Sequence, residues 1–300
     1  ETEEVFFYEP GFTVKKLETV DDKTVKAVVV VAKDCRVGEH FAQLRTKNGI
    51  SDFRSVHVGR QPSVPEKEPN NAANVAQTIP LNVTVDGSID AGDSDVFAIA
   101  GQKGERLSVE IQAMRLGAFV DSTLSLFNLQ GEELARSDDT PLTGQDGYLS
   151  IEIPADGKYF IRVQDSEMAG NANSRYRLHV GNFLRPSAVF PAGGQPSADT
   201  NLVFIENAKN SFRRHEQTIK TPTKATDGVP FQIDEFYSPT PMPFRVNELT
   251  NVFELEPNNN YEKSSNVATL PAAFNGVIQK PGDFERMQEG FCTDLRGCHL

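Results

Sequence analysis

Tryptophan is absent from this 300-residue chain, and cysteine, methionine and histidine are scarce, at 3, 4 and 5 residues. The lack of tryptophan weakens the case for a sugar-stacking platform and leaves that role to tyrosine or phenylalanine. Three cysteines are too few for a disulfide framework, so they leave the redox compartment open. No apolar run is long enough to span a bilayer, and the most apolar stretch, residues 27–32, has the length of a buried strand.

Clusters of basic residues are also missing. Lysine and arginine together number 30, against 42 aspartates and glutamates, which gives a formal net charge of −12 at pH 7. Phosphate backbones are bound by grouped lysines and arginines, so this composition argues against a nucleic-acid partner. The same charge favours solubility and attracts cations. The length leaves room for about two or three domains.

Local signatures of catalysis are absent from the sequence. No histidine has a glutamate or a second histidine at a zinc-motif offset, and no nucleophile elbow, phosphate loop or dinucleotide fingerprint occurs. Cys292, Cys298 and His299 are a poor zinc set, because structural sites need four ligands. We therefore predict that the chain is not an enzyme and has no catalytic residue, although a triad assembled in space would leave no local mark.

What the sequence does contain is a β pattern. Its 22 glycines and 18 prolines punctuate short runs rich in valine, isoleucine and phenylalanine, which predicts an all-β fold of tandem β-sandwich modules. Residues 71–77 are the main candidate for a short helix. In residues 123–129 the apolar alternation breaks after Leu126, which indicates a bulge or a strand covered on both faces.

Polar, proline-containing stretches divide these β-rich runs into four modules. In the first module, strands are predicted at 13–20, 25–31, 41–46 and 53–58. The predicted boundaries give an incomplete β module at 1–64, a complete sandwich at 66–181, a third β module at 183–250 and a shortened repeat of the sandwich at 252–300.

An acidic hexapeptide occurs twice in the chain. Glu-x-Glu-Pro-Asn-Asn begins at Glu66 and again at Glu254, and each copy precedes a Gly-x-Ile and a Gly-Asp-x-Asp/Glu in the same order. Carboxylates and carboxamides gathered in this way suit a hard cation such as calcium, which takes six to eight oxygen ligands. One hexapeptide cannot supply that number, so the two acidic motifs of each copy must converge.

Residues 66–181 resemble a bacterial pre-peptidase C-terminal domain. The resemblance rests on the hexapeptide, on Gly92-Asp93-Ser94-Asp95-Val96-Phe97, and on two further motifs at 134–139 and 154–163. Residues 254–285 match the first two motifs of a second, truncated copy, and the flanking modules are similar to bacterial immunoglobulin-like domains. The resemblance implies a jelly-roll-like sandwich. It also extends to the collagen-binding domains of secreted collagenases, which bind calcium where the acidic segment meets the sandwich.

The family resemblance implies two sets of calcium ligands. The first copy offers Glu66, Glu68, Asn70, Asn71, Asp93 and Asp95. The second and weaker set is Glu254, Glu256, Asn258, Asn259, Asp283 and Glu285, in which Glu285 stands where the family has aspartate.

Each acidic segment also has a simpler interpretation. Glu66 and Glu68 could belong to a solvated linker, with Asn70 and Asn71 capping the short helix. A further acidic cluster consists of Asp138, Asp139 and Asp146. For that cluster ordinary loop hydrogen bonding is the favoured interpretation.

These observations predict a non-catalytic, calcium-stabilised binding or spacer region of a secreted or envelope-associated bacterial multi-domain protein. The alternative is the accessory region of a secreted peptidase whose catalytic domain lies outside this chain. The expected partners are an extracellular protein or polysaccharide and other modules of the same parent, without nucleic acid and without a membrane span in this chain. The predicted location rests on the resemblance, because the sequence has no recognisable signal peptide.

Overall fold

The computed structural model is built from β-strands, with short 3-10 turns at Met114–Leu116 and Tyr261–Lys263. It describes residues 2–21, 23–141, 143–171, 173–208, 211–223, 228–267, 269–278 and 287–289. The predicted all-β fold class is confirmed. Two compact units are present: Glu1–Leu184 with Gln232–Thr240, and Arg185–Phe231 with Pro241–Leu300. Among the described residues, no helix is long and apolar enough to cross a membrane.

The first unit opens with two small sheets. Their strands are β1 (Thr2–Phe7), β2 (Phe12–Thr19), β3 (Val25–Val31), β4 (Gly38–Thr46), β5 (Gly49–Ile50) and β6 (Arg54–Val58). Strand β4 pairs with β1, β5 and β6, while β2 pairs with β3. The sequence pattern predicts β2, β3, β4 and β6 but misses β1. Val28 and Val30 on β3 remain 55% and 48% exposed, so this face of the module is not part of a closed core.

A β-sandwich follows and forms the main body of the first unit. Its strands are β7 (Ser63–Pro65), β8 (Gln77–Thr78), β9 (Val83–Ser88), β10 (Asp95–Gly101), β11 (Arg106–Gln112), β12 (Ser122–Asn128), β13 (Glu133–Ser137), β14 (Tyr148–Glu152), β15 (Gly157–Asp165) and β16 (Arg175–Gly181). One five-stranded sheet has the order β13-β12-β15-β10-β8, and the other has the order β14-β11-β16-β9-β7.

The core lies between these two sheets. Alternate residues of the strands, such as Phe97, Ile111, Leu124 and Leu178, are fully buried in one hydrophobic cluster, as expected from the two-residue period of β-structure. Strand β10 is covered on its other face too, where Val96 and Ala98 pack in a smaller cluster with Phe160.

The pairing of strand β12 with β13 shifts register between Leu126 and Phe127, while its pairing with β15 on the other side is continuous. The extra residue is Leu134 of β13, so the bulge lies in the neighbouring strand and not in β12 as predicted. Residues 122–126 of β12 are all buried, which agrees with the other interpretation, a strand covered on both faces.

Residues 71–77 form a turn and the start of β8, so the predicted short helix is wrong. The Val75 N–H donates to the Ala72 carbonyl at 3.0 Å, and β8 already begins at Gln77. The segment crosses from the sheet that contains β7 to the sheet that contains β8. It is too short to repay the cost of helix nucleation.

The remaining strands are β17 (Ala188–Phe190), β18 (Gly193–Gly194), β19 (Asp199–Ala208), β20 (Ser211–Lys220), β21 (Gln232–Ile233), β22 (Phe236–Tyr237), β23 (Arg245–Val246), β24 (Thr250–Phe253), β25 (Ser265–Val267), β26 (Ala272–Asn275) and β27 (Met287–Glu289). Strands β19 and β20 form a long antiparallel pair. The β21–β22 pair belongs to the first unit, where Thr240 donates a hydrogen bond to Glu110 Oε1 at 2.6 Å.

Candidate metal centre

Three carboxylates converge where the acidic segment after β7 meets the start of β10. Glu66, Glu68 and Asp95 each place one oxygen within 4.8 Å of the others. Asp95 is fully buried, Glu66 is partly buried and Glu68 is exposed. The fold therefore brings together three of the six ligands predicted for the first copy.

Backbone and amide contacts fix the acidic segment in this position. The Glu66 carboxylate accepts a hydrogen bond from the Ser88 N–H at 2.9 Å, which ties it to β9. The Gln77 side chain holds the segment from the other side: its Oε1 accepts from the Lys67 N–H at 2.8 Å, and its Nε2 donates to the Pro65 carbonyl at 3.0 Å. Glu66 thus lies between strands of both sheets.

Asn70 and Asp95 each bring a buried side-chain oxygen to this site. Both side chains are fully buried. Asn70 Nδ2 donates to Glu66 Oε1 at 3.1 Å, but Asn70 Oδ1 and Asp95 Oδ1 have no hydrogen-bond partner among the described residues. Buried oxygens are normally paired, so a cation would satisfy these two. Since no helix follows Asn70, the interpretation of this residue as a helix cap is wrong.

Tyr176 on β16 completes the arrangement, and sequence reasoning missed it. Its hydroxyl lies 2.8 Å from Glu66 Oε1 and 2.7 Å from Asp95 Oδ2. A hydroxyl donates only one proton. Without a cation, both contacts can be hydrogen bonds only if one of the two carboxyl groups is protonated and donates to the tyrosine oxygen. The pKa of Tyr176 is raised well above its usual value, first by burial and then by the Asp95 charge, which keeps the phenol neutral.

The negative charges of neighbouring carboxylates oppose the ionisation of Asp95 and Glu68. Burial, followed by the negative charge of Glu66, raises the pKa of Asp95 to about 9. Burial also raises the pKa of Glu68, and the charges of Asp93 and Glu66 raise it further. Three ionised carboxylates at this spacing therefore need a compensating cation.

The last two predicted residues of the first copy, Asn71 and Asp93, lie beside this group. Asn71 Nδ2 donates to Asp93 Oδ1, which also accepts from the Ser94 N–H. The pair is less buried than Asn70 and Asp95. Asp93 acts on the three-carboxylate group through its charge, which contributes to the raised pKa values of Glu68 and Asp95.

The glycine of the repeated Gly-x-Ile motif leaves room for the tyrosine. Gly87 pairs with Tyr176 across β9 and β16. A Cβ added at Gly87 would lie 2.5 Å from the Tyr176 hydroxyl oxygen and 2.9 Å from Glu66 Oε2. A side chain here would therefore separate the tyrosine from the carboxylates.

We expect Gly87→Ala to lower the free energy of unfolding of the sandwich by about 1–3 kcal/mol, because the new methyl group overpacks a buried contact. Urea unfolding followed by circular dichroism measures this loss. Gly157→Ala is the matched control, since a Cβ at this glycine of β15 meets nothing within 4 Å. Equal stability of the two variants would contradict the role assigned to Gly87.

The second hexapeptide repeats the backbone contacts of the first. The Val277 N–H donates to Glu254 Oε1 at 2.6 Å, as Ser88 does to Glu66. The Asn258 N–H donates to Glu256 Oε2 at 2.9 Å, and the corresponding distance from Asn70 to Glu68 is 3.0 Å. Strands β24 and β26 also pair in parallel, as β7 and β9 do. Of the remaining predicted ligands, Asn259 is exposed, and Asp283 and Glu285 lie outside the described residues.

Asp146 has a structural role within the described fold. It is fully buried, and its oxygens accept hydrogen bonds from the backbone N–H groups of Ala113 and Met114 at 2.9 and 2.8 Å and from Arg115 Nε at 2.6 Å. Asp138 is exposed and accepts from the backbone N–H of Asp139. These contacts favour ordinary loop hydrogen bonding over cation binding for this cluster.

Among the cysteines, only Cys35 lies in the described part of the chain, and it is not in the three-carboxylate group. Cys35 is a free thiol whose Sγ lies 4.0 Å from His40 Nε2. Cys292, Cys298 and His299 lie outside the described residues.

Comparison with known proteins gives one family match. Residues 93–165 match the model of the bacterial pre-peptidase C-terminal domain. The chain is 33% identical, over 82 residues, to a "Probable subtilase-type serine protease" of Deinococcus radiodurans; this covers 27% of the chain and 11% of that protein. The chain thus spans about a tenth of the curated relative it matches.

Solved structures with a similar chain course include the pre-peptidase C-terminal domain of a collagenase from Bacillus anthracis. It is 19% identical with a TM-score of 0.30, over 38% of this chain and 99% of that chain. The secreted serine protease VesC from Vibrio cholerae is 10% identical with a TM-score of 0.26, over 61% of this chain and 43% of that chain. The family match places one bacterial pre-peptidase C-terminal domain in this chain, within the sandwich of β7–β16.

Proposed function

We propose that this chain is a non-catalytic, calcium-stabilised accessory region of a secreted or envelope-associated bacterial multi-domain protein. The observation that carries the proposal is the group formed by Glu66, Glu68 and Asp95, with two buried oxygens that have no partner among the described residues. Calcium binds oxygen ligands from carboxylates and carboxamides, and these residues supply only such ligands.

The residues that would hold the ion are the three carboxylates and Asn70 through its Oδ1. Bound calcium would supply the positive charge that lets Asp95 ionise inside the sandwich. The chain's own contribution is to join the segment before β8 to the first residue of β10. Glu66 follows β7 directly. The same contacts would therefore also hold β7, and the chain that leads into it, in a fixed direction relative to the sandwich.

We expect calcium to raise the thermal midpoint of the sandwich relative to the same protein in chelator. A ligand that binds only the folded state stabilises it by about 2.7 kcal/mol at a hundredfold excess over its Kd. Differential scanning calorimetry of the full chain, with calcium and with EGTA, measures the shift. Asp95→Asn should abolish it, because the variant keeps the shape of the buried side chain and removes its charge.

The matched control is Asp138→Asn, which removes an exposed loop carboxylate of the same sandwich and should leave the calcium shift unchanged. A wild-type midpoint that does not respond to calcium would refute the proposed centre. So would an Asp95→Asn protein that responds as fully as the control.

A second candidate function is more specific: the accessory region of a secreted peptidase. The observation that favours it is the 33% identity to a subtilase-type serine protease over 82 residues. Reading the complete gene tests it. A protease domain in the same reading frame would support this function, whereas further sandwich modules alone would support a spacer or binding array.

We also propose that residues 252–278 are the opening half of a second module of the same kind. The recurring contacts of Glu254 and Asn258 support this assignment. So does Glu254 Oε2, a buried oxygen with no hydrogen-bond partner in the described part of the chain. The flanking modules are proposed to be immunoglobulin-like, as the sequence resemblance implies.

A further inference from the structure

Two Asn-Gly dipeptides occur in the chain, Asn48-Gly49 and Asn275-Gly276, and the fold gives them different surroundings. An asparagine followed by glycine can lose its side-chain amide. The next backbone nitrogen attacks the side-chain carbonyl carbon, and glycine has no Cβ to hinder the approach. The two reacting atoms must come within about 3–3.5 Å of each other. The reactivity of each asparagine therefore depends on how freely its side chain rotates.

Asn48 lies at the tip of the β4–β5 hairpin. Lys47 and Asn48 are the two residues that connect these strands, since Thr46 pairs with Gly49. The Asn48 side chain is exposed and forms no hydrogen bond in the described part of the chain. A Cβ added at Gly49 would meet nothing within 4 Å, so the space around the attacking nitrogen is open.

The contacts at the hairpin tip hold the backbone and leave the Asn48 carboxamide free. Thr46 Oγ1 accepts from the Asn48 N–H at 3.2 Å and donates to the Gly49 carbonyl at 3.2 Å. Ser51 anchors the returning strand, because its hydroxyl oxygen accepts from the Leu44 N–H at 2.9 Å. The Gly49 nitrogen is thus held in place beside a carboxamide that is able to rotate.

Asn275 is held by its side chain. Its Nδ2 donates to Asn251 Oδ1 and to the Ala273 carbonyl, both at 3.1 Å. Its backbone carbonyl accepts from the Glu254 N–H at 3.0 Å, and the residue belongs to β26, which pairs with β24. Rotation of this carboxamide towards Gly276 would break both side-chain hydrogen bonds.

We propose that Asn48 is a site of spontaneous deamidation and that the fold protects Asn275 from the same reaction. The Gly49 nitrogen bonds to Asn48 Cγ, and the side-chain nitrogen leaves as ammonia with the proton of the Gly49 amide. A cyclic imide, the succinimide, remains. One water molecule then opens the ring at either of its carbonyl groups, which gives aspartate or isoaspartate.

Either product changes the hairpin tip. Both add a negative charge beside Lys47. Isoaspartate also adds a CH2 group to the main chain of a connection that is two residues long, which weakens the pairing of Thr46 with Gly49. The contact of Ser51 with Leu44 confines this change to the tip.

Incubation of the full chain at mildly alkaline pH, followed by proteolysis and mass spectrometry, tests the proposal. Exchange of the amide for a carboxyl group raises the mass of a peptide by about 1 Da. We expect Asn48 to react about tenfold faster than Asn275, because Asn275 must first break two hydrogen bonds. In the urea-unfolded chain the two rates should converge.

Two controls accompany this measurement. Asn48→Gln keeps a carboxamide but places it one CH2 group further from the backbone, so it should remove the modification from the hairpin and leave the rate at Asn275 unchanged. A free peptide of residues 46–51 shows the reaction without the fold.

Three results would overturn the assignment. The first is a peptide that is modified under conditions in which Asn48 of the folded chain is not. The second is an equal rate at Asn48 and Asn275 in the folded chain. The third is a difference between the two sites that persists in urea, since neighbouring residues and not the fold would then set the selectivity.

Discussion

Replacing Arg115 with methionine is expected to lower the free energy of unfolding of the sandwich by about 3–5 kcal/mol, the typical cost of breaking a buried ion pair from one side. The Arg115 guanidinium lies 2.9 Å from Glu110 Oε1 and 2.6 Å from Asp146 Oδ2, and both carboxylates are fully buried. Methionine retains much of the apolar stem but leaves these charges without their cation. Equilibrium urea unfolding measures the loss.

Two further variants separate charge from packing. Arg136→Met removes an exposed arginine of β13 and should change stability by less than about 0.5 kcal/mol. Adding Glu110→Gln to Arg115→Met removes one of the two uncompensated charges and should recover part of the lost stability. A double variant less stable than Arg115→Met would contradict the explanation by buried charge.

The second large effect is a loss of stability in acid that comes from His179. This buried residue of β16 bonds through Nδ1 to Thr84 Oγ1 at 2.8 Å and through Nε2 to Gln112 Oε1 at 2.9 Å. Burial lowers its pKa from 6.5 to about 3. Of the charged groups around it, Glu110 opposes this shift, whereas the other contributors, Arg177, Arg115 and His57, add to it.

The direction of the pH effect follows from the lowered pKa. Below pH 6.5 the unfolded chain binds a proton at His179 that the folded chain does not bind. The contribution of the neutral His179 to the free energy of unfolding is therefore complete above pH 6.5 and is lost as the pH falls towards 3. Each pH unit in that window costs about 1.4 kcal/mol. At pH 4 the wild type should therefore have lost about 3 kcal/mol through this residue.

His179→Gln is the comparison that isolates this contribution, because glutamine can bond to the same neighbours without titrating. Between pH 7 and pH 4, the wild type should lose about 3 kcal/mol more unfolding free energy than the variant does. The stability difference between the two proteins should therefore shrink or change sign. If the unfolding free energies of the two proteins change in parallel with pH, the pKa of His179 does not differ between the folded and unfolded states, which would contradict this explanation.

Both effects arise in parts of the sandwich that sequence reasoning treats as ordinary. His179 lies on β16, but nothing in its sequence neighbourhood identifies its bonding partners. Asp146 is predicted to belong to a loop, yet it is one of the most deeply buried carboxylates. Its burial depends on Arg115, which lies 31 positions earlier in the chain.

The amino-acid sequence by itself determined the fold class, most strands of the first module and the acidic segments that meet at the candidate centre. These features are local: two-residue periodicity, turn residues and repeated motifs can be read without knowing which strands become neighbours. The tertiary structure decided which candidates converge. It selected Glu66, Glu68 and Asp95, turned Asn70 towards them and placed Asn71 and Asp93 to one side.

Only the tertiary structure could add Tyr176, which lies 110 positions from Glu66 and 81 from Asp95, and explain why position 87 is glycine. The order of strands in the two sheets sets those contacts. That order results from the burial of the whole core, a property of the chain that no single motif contains.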